Sequence, residues 1–274
     1  RPDVLLGMGS YACAGPVMAA LRLKVPVVLH EANVLPGKAI SFFSRRAARV
    51  AGSFEETRFY MKRKDIVVTG MPLRSALEAD PNAERSSEDR PFTILVMGGS
   101  RGAKRINEVC TEAIPSLVKR GLELSVVHLA GQADADAVGE AYAEADVSHT
   151  VHAFVHDMAD IYRSADLAIC RSGASTCAEI SVFGVPALLV PYPYAARDHQ
   201  MANARAMEKV GASDVVAEAE LSTHWLEEYI EGCIRNPERL TRLSEAARGR
   251  TVGKASEALA DLVEQAAGER MQSG

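Results

Sequence analysis

Short apolar runs that end in glycine or small polar residues alternate with segments of helical spacing along this chain. The clearest unit has an apolar run over 167–170, a polar turn over 171–173, a helical stretch over 174–183 and a second apolar run over 186–192. Gly184 is a typical helix end, and a proline follows two residues later. The pattern predicts strand, tight turn, helix and strand, which is the repeating unit of a parallel sheet.

The same alternation occurs in two series, which predicts an α/β protein with two parallel sheets. In the first series the predicted strands are 4–9, 25–30, 50–54 and 66–69, and the helices include 16–23 and 36–49. A polar stretch over 78–91, which we interpret as a surface loop, precedes the second series. That series has predicted strands at 93–97, 124–130, 150–154, 167–170, 186–192 and 215–216, and helices at 103–119, 134–145, 155–164, 174–183, 198–210, 222–234, 236–249 and 254–268.

Composition restricts the classes of function. The 274 residues suffice for two α/β domains, and a hydrophobic content of 47% excludes a disordered chain. The net charge of −5 provides no basic field, so we expect no nucleic-acid partner. No apolar run is long enough to span a bilayer. The five cysteines are scattered without a metal-like pair, which is typical of buried thiols in a reducing compartment.

The turn after the 167–170 strand carries groups suited to a nucleotide. In a parallel sheet such a turn lies at the carboxyl edge, where ligands bind. Ser175 and Thr176 offer hydroxyls beside backbone N–H groups at a helix N-terminus, which suits phosphate. Glu179, one turn further on, suits the two hydroxyls of a ribose. A helix cap with a first-turn acid that complements the helix dipole would use the same residue types, and this stretch alone leaves both interpretations open.

Six short motifs occur in a fixed order along nearly the whole chain. They are Gly7-Met8-Gly9-Ser10-Tyr11, Val28-Leu29-His30-Glu31-Ala32-Asn33, Gly70-Met71-Pro72-Leu73-Arg74, Gly98-Gly99-Ser100-Arg101-Gly102-Ala103, Cys170-Arg171-Ser172-Gly173-Ala174 followed by Thr176 and Glu179, and His199-Gln200 with Asn203. Together they resemble the MurG family of bacterial glycosyltransferases, which add N-acetylglucosamine to a lipid-linked muramyl-pentapeptide in peptidoglycan synthesis. One such motif is weak evidence, whereas six in a fixed order are specific.

The resemblance implies a GT-B fold, in which two Rossmann-like domains face each other across a cleft. It places the acceptor-side domain at 1–72, the donor-binding domain at 73–252 and a helix that crosses back at 253–274. The chain begins at Arg1 without a methionine, and the family's opening glycine loop with its histidine has no counterpart. We therefore expect that an N-terminal portion has been lost, that the first domain is incomplete and that this chain alone lacks part of the active site. Ala32 also replaces a more usual glutamine.

The resemblance also implies the site residues. Those expected to bind substrate are Asn33, Arg74, Ser100, Val155, Ala174, Ser175, Thr176, Cys177, Ala178, Glu179 and Gln200, and those expected to take part in catalysis are Glu31 and Asn33. Ser100 would contact the diphosphate, Arg74 would place a positive charge beside the nucleotide, and the backbone of Val155 would contact the uracil. Gln200 would bind sugar hydroxyls, and Glu31 would orient the acceptor or act as a base. The structural alternatives are a helix cap for Ser100, a surface arginine for Arg74, a core valine for Val155 and a turn-stabilising acid for Glu31.

The implied reaction is a direct displacement with inversion, in which the acceptor 4-hydroxyl attacks the anomeric carbon and UDP leaves. The helix N-terminus at Ser175 and Thr176 would stabilise charge on the departing diphosphate. We expect no Asp-x-Asp metal motif in this chain and therefore no essential metal, and we expect no cofactor. Two alternatives stay open: another UDP-sugar enzyme, such as a 2-epimerase or a glycolipid synthase, and a non-catalytic UDP-sugar-binding fragment. A dinucleotide oxidoreductase is disfavoured because the glycine turn at 98–102 lacks the G-x-G-x-x-G spacing.

The predicted helix at 36–49 suggests an additional partner. Phe42 and Phe43 lie beside Arg45, Arg46 and Arg49, a combination that can bind an anionic membrane surface. This would place the protein at the cytoplasmic face of the cell membrane, where a lipid-linked acceptor lies. The alternative is an ordinary amphipathic helix with its phenylalanines directed inward and its arginines in water.

Overall fold

The computed structural model describes residues 2–77, 90–99, 102–251 and 253–272, which form two parallel sheets covered by helices. The first sheet contains, in spatial order, β1 (Leu5–Gly7), β2 (Val27–Glu31), β3 (Arg49–Gly52) and β4 (Val67–Val68). The second contains β5 (Phe92–Met97), β6 (Leu124–Leu129), β7 (Ser148–His152), β8 (Leu167–Cys170), β9 (Ala187–Leu189) and β10 (Asp214–Val215). Every strand pairing is parallel, which confirms the predicted α/β class.

The helices follow the predicted alternation with the strands. They are α1 (Ala14–Arg22), α2 (Lys38–Phe43), α3 (Thr57–Tyr60), α4 (Lys104–Lys119), α5 (Ala135–Glu144), α6 (Ala159–Ser164), α7 (Ala174–Phe183), α8 (His199–Lys209), α9 (Thr223–Arg235), α10 (Pro237–Arg248) and α11 (Ala255–Gln272). In helix α4, the apolar positions that repeat with the helical period all lie on one buried face. These positions, each at most 1% exposed and packed against the second sheet, are Ile106, Val109, Ile114 and Leu117. Burial of this one face holds the helix on the sheet.

The strand order of the second sheet reverses direction once. The order is β10-β9-β8-β5-β6-β7, so the chain builds outward from β5 to β7 and then returns to the other side of β5 with β8. Strands β5 and β8 pair in register from Ile94 with Leu167 to Met97 with Cys170. In open α/β sheets, a crevice forms where the strand order reverses, at the carboxyl ends of the strands. The turns that follow β5 and β8 lie at this crevice.

Several predicted elements are shorter than expected. The predicted helix over 36–49 is wrong after Phe43, because the chain turns and the Ala48 N–H donates to the carbonyl of Val27 before Arg49 begins β3. The predicted helix over 155–164 begins only at Ala159, whose N–H is bound by the side chain of Asp157. The predicted strand over 186–192 is limited to β9. Residues 78–89 of the predicted surface loop lie outside the described residues.

The early end of α2 reduces the set of residues that are available for the predicted membrane-binding surface. Phe43 is only 4% exposed and packs in the core of the first sheet, so the amphipathic alternative is right for this residue. Arg49 donates to the Ala48 carbonyl and forms an ion pair with Glu269. Phe42, by contrast, is 70% exposed beside the exposed Arg45.

Helix α11 packs on the first sheet although it follows the second in sequence. Leu259, Leu262 and Ala266 are buried against Val28 of β2 and Ala51 of β3. The chain therefore passes between the two sheets twice, once in each direction. The bounds 1–72, 73–252 and 253–274 stay a prediction.

The end of α7 yields a stability prediction. Gly184 adopts a left-handed conformation with φ 60°, and a Cβ there would lie 2.3 Å from Nε of Arg248. We expect Gly184→Ala to lower the free energy of unfolding by about 1–2 kcal/mol or more, because an L-residue is strained in this conformation. Urea unfolding followed by circular dichroism measures this change.

Gly139 is the matched control, because it lies inside α5 and a Cβ there would meet nothing within 4 Å. We expect Gly139→Ala to raise the free energy of unfolding by about 0.5–1 kcal/mol, since alanine is the better helix former. Equal effects of the two substitutions would contradict the strain argument.

Candidate functional site

The N-terminus of α7 lies at the crevice with its first N–H groups uncapped. Gly173 is the N-cap residue, and no side chain among the described residues caps it. The Ser172 hydroxyl instead donates to the carbonyl of Gln200, at 2.8 Å. Ser172 therefore does not cap α7 with its hydroxyl. The N–H groups of Ala174, Ser175 and Thr176 lack intrahelical partners by geometry, and Ser175 is exposed. This arrangement can bind an anion.

Glu179 lies one turn further along α7 and is bound by a residue that the motifs did not include. The Tyr162 hydroxyl donates to Oε2 of Glu179 at 2.5 Å, and Tyr162 is only 1% exposed. Burial raises the pKa of Glu179, while the Tyr162 hydrogen bond and the positive charge of Arg74 oppose that rise. Tyr162 therefore orients a half-buried carboxylate and favours its ionised form.

Arg74 and Val155 lie on the same side of α7 as Glu179. The guanidinium of Arg74 approaches the carbonyl of His156 at 3.5 Å. Val155 does not close a strand as predicted; it lies in the loop between β7 and α6, which also follows the carboxyl end of a strand. In the same loop the ring of Phe154 is 55% exposed and packs edge-on against His156, with ring centroids 4.9 Å apart. The structure thus brings Arg74, Val155 and Glu179 together.

Cys177 and Ala178 line a cavity, and their expected contact with substrate stays a prediction. Cys177 is 1% exposed, and burial raises the pKa of its thiol to about 12. Cys177, Ala178 and part of Ala174 line a separate cavity of about 630 Å³ beside the two chain crossings, with Met71, Phe54 and Thr251. Glu179 and Arg74 do not line it. Ser100 lies outside the described residues.

Glu31 and Asn33 lie at the end of β2 and form a tight turn. One carboxylate oxygen of Glu31 accepts from the Asn33 N–H at 3.0 Å, and the other accepts from the Gly37 N–H at 2.8 Å. Glu31 is 4% exposed; burial raises its pKa, and these backbone hydrogen bonds oppose the rise. Both oxygens are thus engaged by the chain's own backbone, which favours the turn-stabilising role over that of a base.

The loops that follow β2 of the first sheet and β8 of the second sheet meet at Asn203. Its side chain donates to Oδ1 of Asn33 at 3.0 Å and to the carbonyl of Ser172 at 3.1 Å. Gln200, one turn earlier on α8, accepts from the Tyr192 N–H through Oε1 at 2.9 Å. The backbone carbonyl of Gln200 accepts from the Ser172 hydroxyl, so Gln200 lies beside the turn that Asn203 also contacts.

Comparison with known proteins identifies the family. The model of the glycosyltransferase family 28 C-terminal domain matches residues 93–265, and that of the N-terminal domain matches residues 1–52. A curated relative from Geobacter sulfurreducens, UDP-N-acetylglucosamine--N-acetylmuramyl-(pentapeptide) pyrophosphoryl-undecaprenol N-acetylglucosamine transferase, is 41% identical over 95% of this chain and 72% of its own length. The chain belongs to the MurG family of glycosyltransferases.

Solved structures agree with the family assignment. The crystal structure of Acinetobacter baumannii MurG matches with a TM-score of 0.80 and 32% identity over 96% of this chain and 74% of that one. This confirms the predicted GT-B fold. A UDP-GlcNAc 2-epimerase from Neisseria meningitidis matches with a TM-score of 0.68 but only 16% identity, and so shows the shared fold alone. The epimerase alternative is not favoured.

Two features of this MurG family member escaped the sequence analysis. Tyr162 lies 17 residues before Glu179 and is spaced like a core residue of α6, so no local pattern linked it to the carboxylate. An Asp-x-Asp sequence also occurs outside the six motifs, at Asp134 and Asp136. Asp134 accepts from Nδ2 of Asn107 at 2.8 Å at the start of α5. Among the described residues, no group of three or more His, Cys, Asp or Glu could hold a metal ion.

The contact between Tyr162 and Glu179 can be tested. We expect Tyr162→Phe to weaken the binding of UDP-GlcNAc by at least about tenfold, because a hydrogen bond to a charged group contributes roughly 1.5–3 kcal/mol. Loss of the hydroxyl also raises the pKa of Glu179 further. Binding of UDP-GlcNAc needs the ionised carboxylate. When the pH is lowered, the variant should therefore lose binding at a higher pH than the unmodified chain does. Calorimetric titration over a pH series measures both effects.

Tyr142→Phe is the matched control. Tyr142 is another fully buried tyrosine of the second domain, and its hydroxyl lies 3.1 Å from Nδ1 of His128, in a separate network. Its substitution should leave the affinity for UDP-GlcNAc unchanged. If both variants lost affinity equally, Tyr162 would matter only for folding.

Proposed function

We propose that this chain provides the machinery of an inverting N-acetylglucosaminyltransferase. In the proposed reaction, N-acetylglucosamine passes from UDP-GlcNAc to the 4-hydroxyl of lipid-linked MurNAc-pentapeptide. The observation that carries the proposal is the uncapped N-terminus of α7 beside the Arg74 and Glu179 pair, in a chain 41% identical to a relative named for this reaction. Its family also makes a purely structural or non-catalytic role less favoured.

The donor-side roles follow from charge and geometry. The N–H groups at Ala174, Ser175 and Thr176 would bind the diphosphate and stabilise the charge that grows on it as UDP leaves. Arg74 would add a fixed positive charge, and Glu179 would accept from the ribose hydroxyls through the oxygen that Tyr162 does not bind. The backbone at Val155 would contact the uracil, Ser100 would contact the diphosphate, and Gln200 would bind the sugar hydroxyls.

On the acceptor side, Asn33 would contact the sugar or the acceptor from the end of β2. Glu31 would act by holding the turn that carries Asn33, since backbone N–H groups engage both of its oxygens. In the displacement, the acceptor oxygen bonds to the anomeric carbon as the bond from that carbon to the diphosphate breaks. The hydroxyl proton is released to solvent, so that the products are the glycosylated acceptor, UDP and one proton. We propose that this step needs neither an essential metal nor a cofactor.

Calorimetric titration with UDP-GlcNAc, with UDP-glucose and NAD as controls, tests the donor site. We expect UDP-GlcNAc alone to bind, with an affinity unchanged by EDTA and lost in Glu179→Ala. The loss follows because the ribose hydroxyls would then face no acceptor in a half-buried site. Equal binding of UDP-glucose would contradict the assigned sugar specificity, and loss of binding in EDTA would contradict metal independence.

We also propose that part of the first domain contacts an anionic membrane surface at the cytoplasmic face, where a lipid-linked acceptor lies. Phe42 is 70% exposed beside the exposed Arg45 and Arg46 at the end of α2. Arg63 donates to the carbonyls of Ser44 and Ala47, so the segment after α3 lies beside this turn. Among the described residues, no helix combines the length and the apolar character that crossing a membrane requires.

A vesicle experiment tests this surface. The double variant Arg45→Gln/Arg46→Gln should bind vesicles containing phosphatidylglycerol more weakly, by roughly 1 kcal/mol for each charge removed. The double variant Arg235→Gln/Arg242→Gln removes the same charge from exposed positions on α9 and α10 and should bind as the unmodified chain does. Co-sedimentation measures both. Equal weakening in the two variants would show that only net charge matters.

A further inference from the structure

The Asn203 side chain is a fully buried amide that bridges the two domains. It is 0% exposed, and its oxygen accepts from the backbone N–H of Val34 at 3.0 Å. Its nitrogen donates to Oδ1 of Asn33 at 3.0 Å and to the carbonyl of Ser172 at 3.1 Å. Two of these partners follow β2 of the first sheet, and the third follows β8 of the second. One side chain therefore satisfies buried polar groups from both sides of the cleft.

The partners of Asn203 are themselves held firmly. The carbonyl of Asn33 accepts from Oγ1 of Thr57 at 3.0 Å, and the Asn33 N–H donates to Glu31. On the other side, the hydroxyl of Ser172 donates to the carbonyl of Gln200 at 2.8 Å. The amide thus joins two braced turns, one carrying Asn33 and the other adjoining Gln200. Few rearrangements of one turn can occur without moving the other.

Other contacts across the cleft are less buried. Arg197 donates to the carbonyl of Pro36 at 2.8 Å from a side chain that is largely exposed, and Arg250 approaches Glu56 at 3.3 Å. Water can replace an exposed hydrogen bond at little cost, whereas a buried donor or acceptor left unpaired is costly. The Arg250 and Glu56 side chains are only 15% and 17% exposed, so their ion pair also resists separation. Asn203 differs from these contacts in that its amide is completely buried and bonds to both sides of the cleft at once.

We propose that Asn203 is a positioning residue that keeps the cleft closed at this end and thereby sets the distance between Asn33 and Gln200. The role of these two residues toward substrate rests on the function proposed above. The closure itself does not, because it follows from the hydrogen bonds alone. Opening and closing of the cleft would then pivot about α8, and the far end of the cleft would move most.

The distance between the domains measures the closure directly. Spin labels at Arg22→Cys in α1 and Lys119→Cys in α4, in a Cys13→Ser background, report it by pulsed electron resonance; the other four cysteines are buried. Asn203→Asp keeps the shape and the acceptor for the Val34 N–H but removes the N–H donors. We expect a longer mean distance and a broader distribution in this variant. An unchanged distribution in a folded variant would overturn the proposal.

Two further variants separate positioning from simple loss of stability. Asn33→Ala removes one hydrogen-bond partner of Asn203 at a half-buried position. It should lengthen the distance between the spin labels even if Asn203→Asp fails to fold. Arg197→Gln removes the exposed contact across the cleft and should leave the distance unchanged. If Arg197→Gln opened the cleft as much as Asn33→Ala did, the pivot would not depend on Asn203.

Binding and turnover distinguish this inference from the proposed function. UDP-GlcNAc binding should change little in Asn203→Asp, because the hydrogen bonds of Asn203 go to Val34, Asn33 and Ser172 and not to Arg74 or Glu179. Transfer to the acceptor should fall by between about tenfold and 100-fold in kcat, with the donor KM retained, because small misplacements of reacting groups are costly. A raised donor KM with an unchanged kcat would contradict positioning. Failure of the unmodified chain to bind UDP-GlcNAc would refute the proposed function and leave the distance test valid.

Discussion

The parallel arrangement of the strands is the constraint on which the other features of this protein depend. Because every strand of a sheet runs the same way, all carboxyl ends meet at one edge. The reversal of strand order between β5 and β8 opens a crevice at that edge. The N-terminus of α7, the loop that carries Val155 and the carboxylate of Glu179 all face this crevice. Residues from distant parts of the chain become neighbours because the sheet brings its loops together.

The two buried carboxylates show how the same residue type serves different ends. Burial raises the pKa of both Glu31 and Glu179, and hydrogen bonds oppose the rise in both. Glu31 accepts from two backbone N–H groups of its own turn, so both of its oxygens stabilise that turn. Glu179 accepts from the hydroxyl of Tyr162 through one oxygen, which leaves the other oriented for a ligand. Proton affinity alone would not separate these roles, whereas the hydrogen-bond partners do.

The prediction from sequence succeeded where burial enforces a period and failed where tertiary contacts end an element. Helix α4 was recognised because its apolar positions repeat with the period of the buried face. The unit of β8, α7 and β9 was recognised because two short apolar runs are bounded by a polar turn and by Gly184. The helix predicted over 36–49 failed because pairing of β3 with β2 competes for the residues after Phe43. Cys177 and Glu179 lie two residues apart on α7, yet Cys177 is buried in the core while Glu179 is half-buried. A helix turns by about 100° per residue, so adjacent residues point in different directions.

The sequence by itself determined the alternation of strands and helices, the parallel class, the family and the glycine turns, since each depends on local spacing or on the order of short motifs. Only the tertiary structure decided which side chains share the crevice. The contact of Tyr162 with Glu179 spans 17 residues, and the bridge from Asn203 to Asn33 spans 170. No local pattern encodes such contacts, because they arise from the packing of whole elements. The same packing decided that Glu31 faces its own backbone and that Cys177 faces the core.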